Sequence, residues 1–476
     1  MLREKGRGMI LRHYTSVAWS LALAACVVLF SGCRARPPEP PFRGEPYLLV
    51  WAGDADRRDS DFLAVIDVDP TSATYGVVVN TLPVGSGGNE PHAMETSRAP
   101  DGLVFAGGLL TDRTFVFDVS KPHAPRLVHV DTPGPTRRFG TPRAYARRSN
   151  GNRIAACGDR RGYRGGVLEV LYSAGGLVEF DRNGRFLREL DTRDPEAVGM
   201  LNSPHGIALS EETRRLLVTD AGHGYSATAT EWTPGVSVQV WEASTGELVQ
   251  TIPLGVGQRG DENLGPNTGH FLKRGAEALV STSEGSALYL SRSIANLTPV
   301  FSLVYDFGRG ALGGQAVVTP NERYYLQALT DGNRLDVLGI SDPTRPQLVN
   351  RLRFDRDPVA PHDARVGGPH GLALSADGQR LAVSNYTVDV PARRREGDRR
   401  VYMVHVDPRH GGIGFDLTFR DEVSGGVGVD FNRTNWPHGE TGPARPAAVL
   451  FSVPSPVSGQ RAEPKVARPA RDASLP

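Results

Sequence analysis

The fold of this chain is decided by the stretch Gly368-Pro369-His370-Gly371-Leu372-Ala373-Leu374-Ser375-Ala376-Asp377-Gly378-Gln379-Arg380-Leu381-Ala382-Val383-Ser384. Two apolar runs flank an Asp-Gly turn, a pattern typical of a β-hairpin. A second full copy begins at Pro204-His205-Gly206, and shorter copies begin at Pro91-His92 and Gly269-His270. Because the same hairpin restarts several times along the chain, the sequence indicates a repeat protein.

The repeats return at intervals of about 40 to 60 residues, which is the range of propeller blades. Seven units fit between residues 47 and 453, and we predict an all-β, seven-bladed β-propeller over that range. The 55 glycines and 36 prolines suit many short strands joined by turns. We expect residues 449–453 to close the circle by pairing with an N-terminal strand, since closure removes exposed sheet edges.

Three polar insertions interrupt the repeats, at residues 160–166, 222–234 and 389–400. Loops of this kind line the mouth of a channel where they share one face of a propeller. The arginines of the last insertion are interpreted as a solvated loop. The insertions therefore mark a candidate mouth without assigning it a ligand.

The N-terminus has the layout of a targeting segment. A basic region is followed by an apolar run at residues 17–30 and then by Ser31-Gly32-Cys33, which is similar to a bacterial lipobox. We predict a signal peptide over residues 1–33 with lipidation of Cys33; ordinary secretion with cleavage nearby is the alternative. Residues 34–46 are expected to be a flexible tether and residues 454–476 a disordered tail. The expected location is the periplasmic face, with the membrane reached only through the lipid anchor.

Charge and cysteine content exclude several classes of function. The formal net charge of +1 gives no support for a polyanionic partner, and no nucleic-acid motif is present. Beyond the predicted signal peptide, Cys157 is the one remaining cysteine, so the folded part forms no internal disulfide. It lies in an apolar run and is expected to be a small buried residue.

Several stretches resemble the selenium-binding protein family, which includes bacterial methanethiol oxidases. They are Asp61-Phe62-Leu63-Ala64-Val65-Ile66-Asp67-Val68-Asp69-Pro70, the related runs at 117–127 and 340–348, the hairpin that opens this section, and His405-Val406-Asp407-Pro408. The resemblance covers roughly residues 45 to 420. It implies a propeller that acts on small thiols such as methanethiol, with copper as the cofactor.

The chain departs from the family pattern at three places. Glu95-Thr96-Ser97-Arg98 follows His92 without the cysteines of the animal members, so selenium bound through a thiol is not expected. The C-terminal His-Glu pair of the family is approximated only by Pro437-His438-Gly439-Glu440. The third unit has Arg143 and Tyr145 where family members often have a histidine.

Four histidines at the starts of predicted inner strands form the candidate site: His92, His205, His270 and His370. Inner strands of a propeller converge on a central channel, so we expect these side chains to share one level at its mouth. Neutral imidazole nitrogens are suitable ligands for copper or zinc. Candidates for a further ligand or for an outer contact are His438, His362, Asp363 and Glu95.

Two other interpretations stay open at this point. A histidine before an inner strand is also a structural hydrogen-bonding device in propellers, which would make the protein a lipid-anchored, non-catalytic scaffold for a ligand or a protein partner. A propeller lactonase also fits the fold, and carboxylates would then dominate the channel. Near the inner-strand starts, Asn202, Asn267 and Gln315 are expected to make ordinary strand-end hydrogen bonds.

Overall fold

The computed structural model describes residues 44–97, 100–160, 175–197, 200, 202–222, 232–273, 276–356 and 368–454. Over these residues the regular structure consists of 33 strands, and no helix is long and apolar enough to cross a membrane. Cys33, the predicted signal peptide and nearly all of the predicted tether and tail lie outside the described residues. Those assignments stay predictions.

Seven antiparallel sheets form the blades of a propeller, which confirms the predicted fold class. From the innermost strand outward, blades 1 to 3 are β33 (Ala444–Phe451), β1 (Tyr47–Asp54), β2 (Phe62–Asp67), β3 (Val78–Pro83); β4 (Pro91–Met94), β5 (Leu103–Gly108), β6 (Thr114–Asp118), β7 (Arg126–Asp131); β8 (Phe139–Arg147), β9 (Arg153–Asp159), β10 (Gly175–Phe180), β11 (Phe186–Asp191).

Blades 4 to 7 repeat the same order. They are β12 (Pro204–Ser210), β13 (Arg215–Asp220), β14 (Ser237–Glu242), β15 (Glu247–Pro253); β16 (Pro266–Leu272), β17 (Glu277–Thr282), β18 (Ala287–Ser291), β19 (Ser302–Asp306); β20 (Gly313–Val318), β21 (Tyr324–Leu329), β22 (Arg334–Gly339), β23 (Gln347–Arg353); β24 (Gly371–Leu374), β25 (Arg380–Ser384), β28 (Arg400–Val406), β29 (Ile413–Phe415). The short strands β26 (Val388–Val390) with β27 (Arg393–Arg395), β30 (Val429–Asp430), and β31 (Asn435–Trp436) with β32 (Gly439–Glu440) are additions to this plan.

Blade 1 closes the propeller, because its innermost strand comes from the end of the chain. Strand β33 pairs antiparallel with β1, with Leu450 opposite Leu49. This pairing confirms the predicted closure. The inner strands then contact one another around the axis in the order β33, β4, β8, β12, β16, β20, β24 and back to β33.

The core is divided among the interfaces between neighbouring blades. Side chains alternate along a strand, so Leu48 and Val50 of β1 pack toward blade 7 while Leu49 and Trp51 pack toward blade 2. The fully buried Trp51 ring lies 5.3 Å from that of Phe115, and its indole N–H donates to a carbonyl of blade 2 at 3.0 Å. Both faces of each blade are therefore buried, which explains the nearly continuous apolar strands.

One face of the propeller carries the connections between second and third strands and the starts of the inner strands. The three insertions noted in the sequence all fall in second-to-third connections, after β9, β13 and β25. The described part of the last insertion contains the β26–β27 hairpin, and we call this side the hairpin face. The opposite side, where the inner strands end, is called the open face.

The inner strands approach each other so closely that Gly206 of β12 has no space for a side chain. A Cβ built there would lie 2.0 Å from the carbonyl oxygen of Asn267 on β16. We expect Gly206→Ala to lower the free energy of unfolding by about 2 kcal/mol, because the two backbones must separate. The control is Gly414→Ala on β29, where nothing lies within 4 Å of the added carbon. Equal stability losses in urea unfolding of the two variants would contradict this close contact.

Candidate functional site

The site is built from a β-bulge at the start of the inner strands. In β12, Pro204 pairs with Asp220 and the next pair is Ile207 with Val218, so two residues of the inner strand oppose one. The same register shift occurs in the other inner strands except β24, which begins only after this position. A bulge leaves one residue without a partner in the hydrogen-bond ladder and changes the direction of its side chain. Proline has no N–H to donate to the ladder and is therefore tolerated next to a bulge.

The residue after this proline defines one position in every blade. We call the set the channel ring: His92, Arg143, His205, Asn267, Gly314, His370 and Ala447. Blade 6 has a glycine in place of the proline. Contacts between neighbours place these residues at one level, since Gly206 lies against the Asn267 carbonyl and Gly314 against His370.

Three of the predicted histidines come together in the channel ring. The Nε2 atoms of His92 and His205 are 3.3 Å apart, and the ring centroids of His92 and His370 are 6.1 Å apart. These residues come from blades 2, 4 and 7, and His92 and His370 are separated by 278 positions (370 − 92) along the chain. The convergence of distant blades that the repeats predicted is therefore present for these three side chains.

Burial holds all three imidazoles in the neutral form. It lowers the pKa of His92 to about 4 and that of His370 to about 3, and it lowers the pKa of His205 well below the usual value. The charges of Arg143 and Arg393 add to the effect at His92. At neutral pH these side chains carry lone pairs, which is the form that binds a metal.

The tautomer of His92 follows from its backbone contact. Its Nδ1 lies 3.3 Å from the carbonyl oxygen of Thr387, and a carbonyl only accepts, so Nδ1 carries the proton. The Nε2 atom of His92 therefore presents its lone pair to His205. This arrangement is the usual way in which a second contact orients a metal-binding histidine.

The spacing of the nitrogens fits a metal in part. Two nitrogens at about 2.0 Å from a tetrahedral ion are roughly 3.3 Å apart, and the His92–His205 separation of 3.3 Å matches, although an N–H···N hydrogen bond also suits it. The Nδ1 of His370 is buried and has no hydrogen-bond partner among the described residues, so it offers a third nitrogen. In the described ranges, the one ligand group with all atoms within 4.8 Å is Asp54, Asp56 and Asp59 on a loop of the hairpin face. A three-histidine site thus requires His370 to move closer.

A cavity of about 570 Å³ leads from the open face to the channel ring. Arg143, His205 and Asn267 line its inner end, and Lys273 and Glu322 line its outer end. On the other side, the carbonyl of Thr387 covers His92 just before the β26–β27 hairpin. His205 therefore borders a cavity open to small molecules, while its neighbour His92 is covered by the segment at Thr387.

The β26–β27 hairpin is fixed by partners from several blades. Arg393 pairs with Glu284 at 2.6 Å and Arg395 with Asp331 at 2.7 Å, while Asp389 pairs with Arg445 at 2.6 Å. Val388 and Val390 pack in one apolar cluster with Leu109 and Trp232. The interpretation of these arginines as a solvated loop is wrong for Arg393, which is buried against blade 5.

Comparison with known proteins finds partial similarity to methanethiol oxidases. No protein-family model matches the chain. The methanethiol oxidase of Hyphomicrobium sp is 39% identical over 92 residues, which is 18% of this chain and 20% of the relative. That of Ruegeria pomeroyi is 42% identical over 88 residues, 17% of this chain and 19% of the relative.

A solved structure extends the similarity to the whole fold. The X-ray structure of a hypothetical selenium-binding protein from Sulfolobus tokodaii has a TM-score of 0.67 at 16% identity, and the match covers 87% of this chain and 95% of that chain. The chain is therefore similar to methanethiol oxidases over short segments, and it shares the propeller fold of a selenium-binding protein over most of its length. It spans only about a fifth of the length of the two methanethiol oxidases that it matches, so the similarity by itself transfers no activity to this chain.

His270 does not belong to the channel ring, which corrects the sequence-based placement. The proline that marks blade 5 is Pro266, so the ring position is Asn267 and His270 lies three residues further along β16. Its Nε2 donates to the carbonyl of Ala316 on the next inner strand at 3.0 Å. Asn267 also bonds to blade 6, donating to the carbonyl of Gly313 at 3.2 Å. These are the strand-linking roles that the structural alternative predicted.

The candidates for a further ligand lie elsewhere. His438 Nδ1 is 2.7 Å from the hydroxyl of Thr81 on the outermost strand of blade 1, and its ring centroid lies 4.9 Å from that of Phe62. Glu95 is buried in ion pairs with Arg147 and Arg153 at 3.0 and 3.2 Å. Both were wrongly predicted to be near the metal site. His362 and Asp363 fall outside the described residues, and their roles stay predictions.

Arg143 occupies the channel-ring position of blade 3, which the sequence marked as lacking a histidine and which was not predicted to be a site residue. It follows Pro142 in β8, and the register of that strand is interrupted there as in the other blades. The signal was present in the sequence, since a proline precedes the ring residue in six of the seven blades. A pattern based on proline instead of histidine selects Arg143 and Asn267 and rejects His270.

The pH dependence of stability reports on the half-buried His270. Burial lowers its pKa to about 4, whereas a histidine of the unfolded chain titrates near 6.5. Between these values the unfolded state binds more protons, so this contribution to stability is complete above about pH 6.5 and is lost as the pH falls. His270→Gln keeps a donor for Ala316 and removes the titration. We expect the stability advantage of the parent protein to shrink by about 1 kcal/mol between about pH 7 and 5, half the full linkage value because the side chain borders the cavity.

The comparison must use the difference between the two pH curves. Burial raises the pKa of Asp220 to about 7 and that of Asp61 to about 6, so these carboxyls contribute a slope of the opposite sign. That slope is common to both proteins and cancels. Parallel curves from urea unfolding would show that His270 is not held neutral.

Proposed function

We propose that this protein is a copper-dependent oxidase of small thiols, such as methanethiol. His92 and His205 would hold the metal, with His370 as the third ligand. The observation that carries the proposal is the 3.3 Å separation between the Nε2 atoms of two neutral histidines, one of which, His205, lines the inner end of the cavity. The names of the two relatives, both methanethiol oxidases, supply the substrate class.

The donor set favours copper over metals that need thiolates. Cys157 is buried in the core between blades 2 and 3, and burial raises the pKa of its thiol far above the usual value. A site of imidazole nitrogens suits copper or zinc, and of these two only copper changes its oxidation state. Bound copper would supply one-electron redox chemistry for a thiol and dioxygen.

The residues around the proposed metal site leave it accessible to a small thiol from one side and cover it on the other. The cavity volume of about 570 Å³ admits a small thiol from the open face. The segment at Thr387 and the hairpin cover the other side of His92. The Nδ1 proton of His92 is engaged by that segment, which fixes the ring with Nε2 toward the site.

The other candidate functions would require different residues or ligands in the channel. A lactonase would need carboxylates there, whereas the described lining of the cavity contains one acidic side chain, Glu322. A non-catalytic scaffold would need no stoichiometric metal. We also propose export with lipid attachment at Cys33, in which case labelled palmitate is incorporated into the parent protein and not into Cys33→Ser.

Copper content tests the proposed function directly. We expect the purified protein, stripped and reloaded with copper, to hold about one ion per chain. The paired substitution of His92 and His205 by Gln should abolish this, because it removes both nitrogens of the close pair. Elemental analysis after gel filtration measures the ratio, and thiol-dependent oxygen uptake with peroxide release measures the activity.

His410→Gln is the matched control. His410 is an exposed histidine paired with Asp407 at 2.7 Å on an outer turn of blade 7. We expect this variant to keep its copper and its thiol oxidation. Full copper binding by the His92→Gln, His205→Gln protein would refute the proposed site, and copper binding without thiol oxidation would refute the proposed reaction.

A further inference from the structure

We propose that the inner end of the cavity is an anion site in which Arg143 binds the ionised sulfur of a small thiol. The proposal deepens the proposed function, on which its choice of substrate rests, by assigning a specificity-determining residue. The binding of a small anion does not itself require the metal. The two proposals can therefore fail separately.

The position of Arg143 is the first argument. It occupies the channel ring between His92 of blade 2 and His205 of blade 4, and it lines the cavity. Its Nη1 donates to the hydroxyl of Ser203 at 2.6 Å and to the carbonyl of Pro204 at 3.1 Å. These bonds hold the guanidinium against the backbone that leads directly into His205.

The charges around the inner end are the second argument. The cavity residues at that level are Arg143, the neutral His205 and the amide Asn267, and no carboxylate lines this part of the cavity; the buried Asp220, which accepts from the backbone N–H of Ser203, lies near Arg143 outside the lining. Glu322, the acidic residue of the described lining, lies at the outer end, where it accepts from the backbone N–H of Lys273.

The chemistry of thiols connects this charge to function. The thiolate, not the thiol, is the form that reacts and that binds a metal, and a nearby cation favours it. Three neutral histidines cannot provide that charge. The cavity wall next to Arg143 is formed by small and apolar residues such as Ala93, Met94 and Ile207, which suits one short alkyl group. The expected ligand is therefore a monovalent anion with a small apolar substituent.

Thiocyanate binding to the metal-free protein tests the proposal. Thiocyanate is a small monovalent anion with a terminal sulfur, and isothermal titration calorimetry measures its affinity. We expect the parent protein to bind it and Arg143→Gln to bind it about 10- to 100-fold more weakly, the usual loss for a hydrogen bond to a charged group. Arg143→Lys, which keeps the charge, should retain most of the affinity.

The control is Lys273→Gln at the outer end of the cavity. This substitution removes the same unit of charge, but Lys273 lies about 20 Å along the inner strand from the ring level. We therefore expect the affinity of this variant for thiocyanate to stay within about twofold of that of the parent. If Arg143→Gln does not fold, Arg143→His replaces it, because histidine occupies the same position in blades 2, 4 and 7 and is neutral at about pH 8.

Each outcome decides the proposal. Weak binding in the Arg143 variant with unchanged binding in the Lys273 variant supports it, also in a protein that binds no copper. Equal affinities of the parent and the Arg143 variant, equal losses in both variants, or no binding by the parent would overturn it. Failure of the copper experiment alone removes the proposed reaction and leaves the anion site.

Discussion

The close approach of seven inner strands to one axis is the constraint on which the rest of the structure depends. Regular pairing would direct side chains alternately into the interfaces between blades and leave no space at the centre. A bulge after a proline resolves this, because the released residue turns into the channel while the ladder continues beyond it. The same crowding explains Gly206 and Gly371, whose Cβ positions are occupied by atoms of the next blade or the next strand.

Much of the fold was predictable because it is encoded locally and repeated. The hairpin at residues 368–384 contains its own turn, and the alternating apolar strands indicate burial on both faces. The closure of the propeller was predictable because residues 449–453 form an apolar run at the end of the last repeat, with no neighbouring strand in sequence to pair with. The site was only partly predictable, because the motif Gly269-His270 resembles the other copies while the strand register is set by Pro266, which pairs with Thr282.

Contacts between elements that are remote in sequence could not be predicted. The charge run at 393–395 has no local feature that separates a solvated loop from a covering hairpin. Its partners are Glu284 and Asp331 in blades 5 and 6, and only the closed propeller brings them together. Likewise, the residues next to Glu95 in the sequence do not indicate that Arg147 and Arg153 form ion pairs with it. Pairing of this kind depends on the three-dimensional position of each blade.

The residue types at the seven channel-ring positions show which side chains the fold requires there and which it only tolerates. Blade 1 forms its bulge with Ala447, and blade 6 forms its bulge with Gly314, so no histidine is needed for an inner strand to fold. His92, His205 and His370 instead carry buried imidazoles, and each is held neutral at a cost in desolvation. Alanine and glycine support the same bulge in blades 1 and 6, so the bulge does not account for three imidazoles that lie close together in the channel. The same argument applies to Arg143, whose charge is kept at the ring level where blades 1 and 6 have no polar side chain at all.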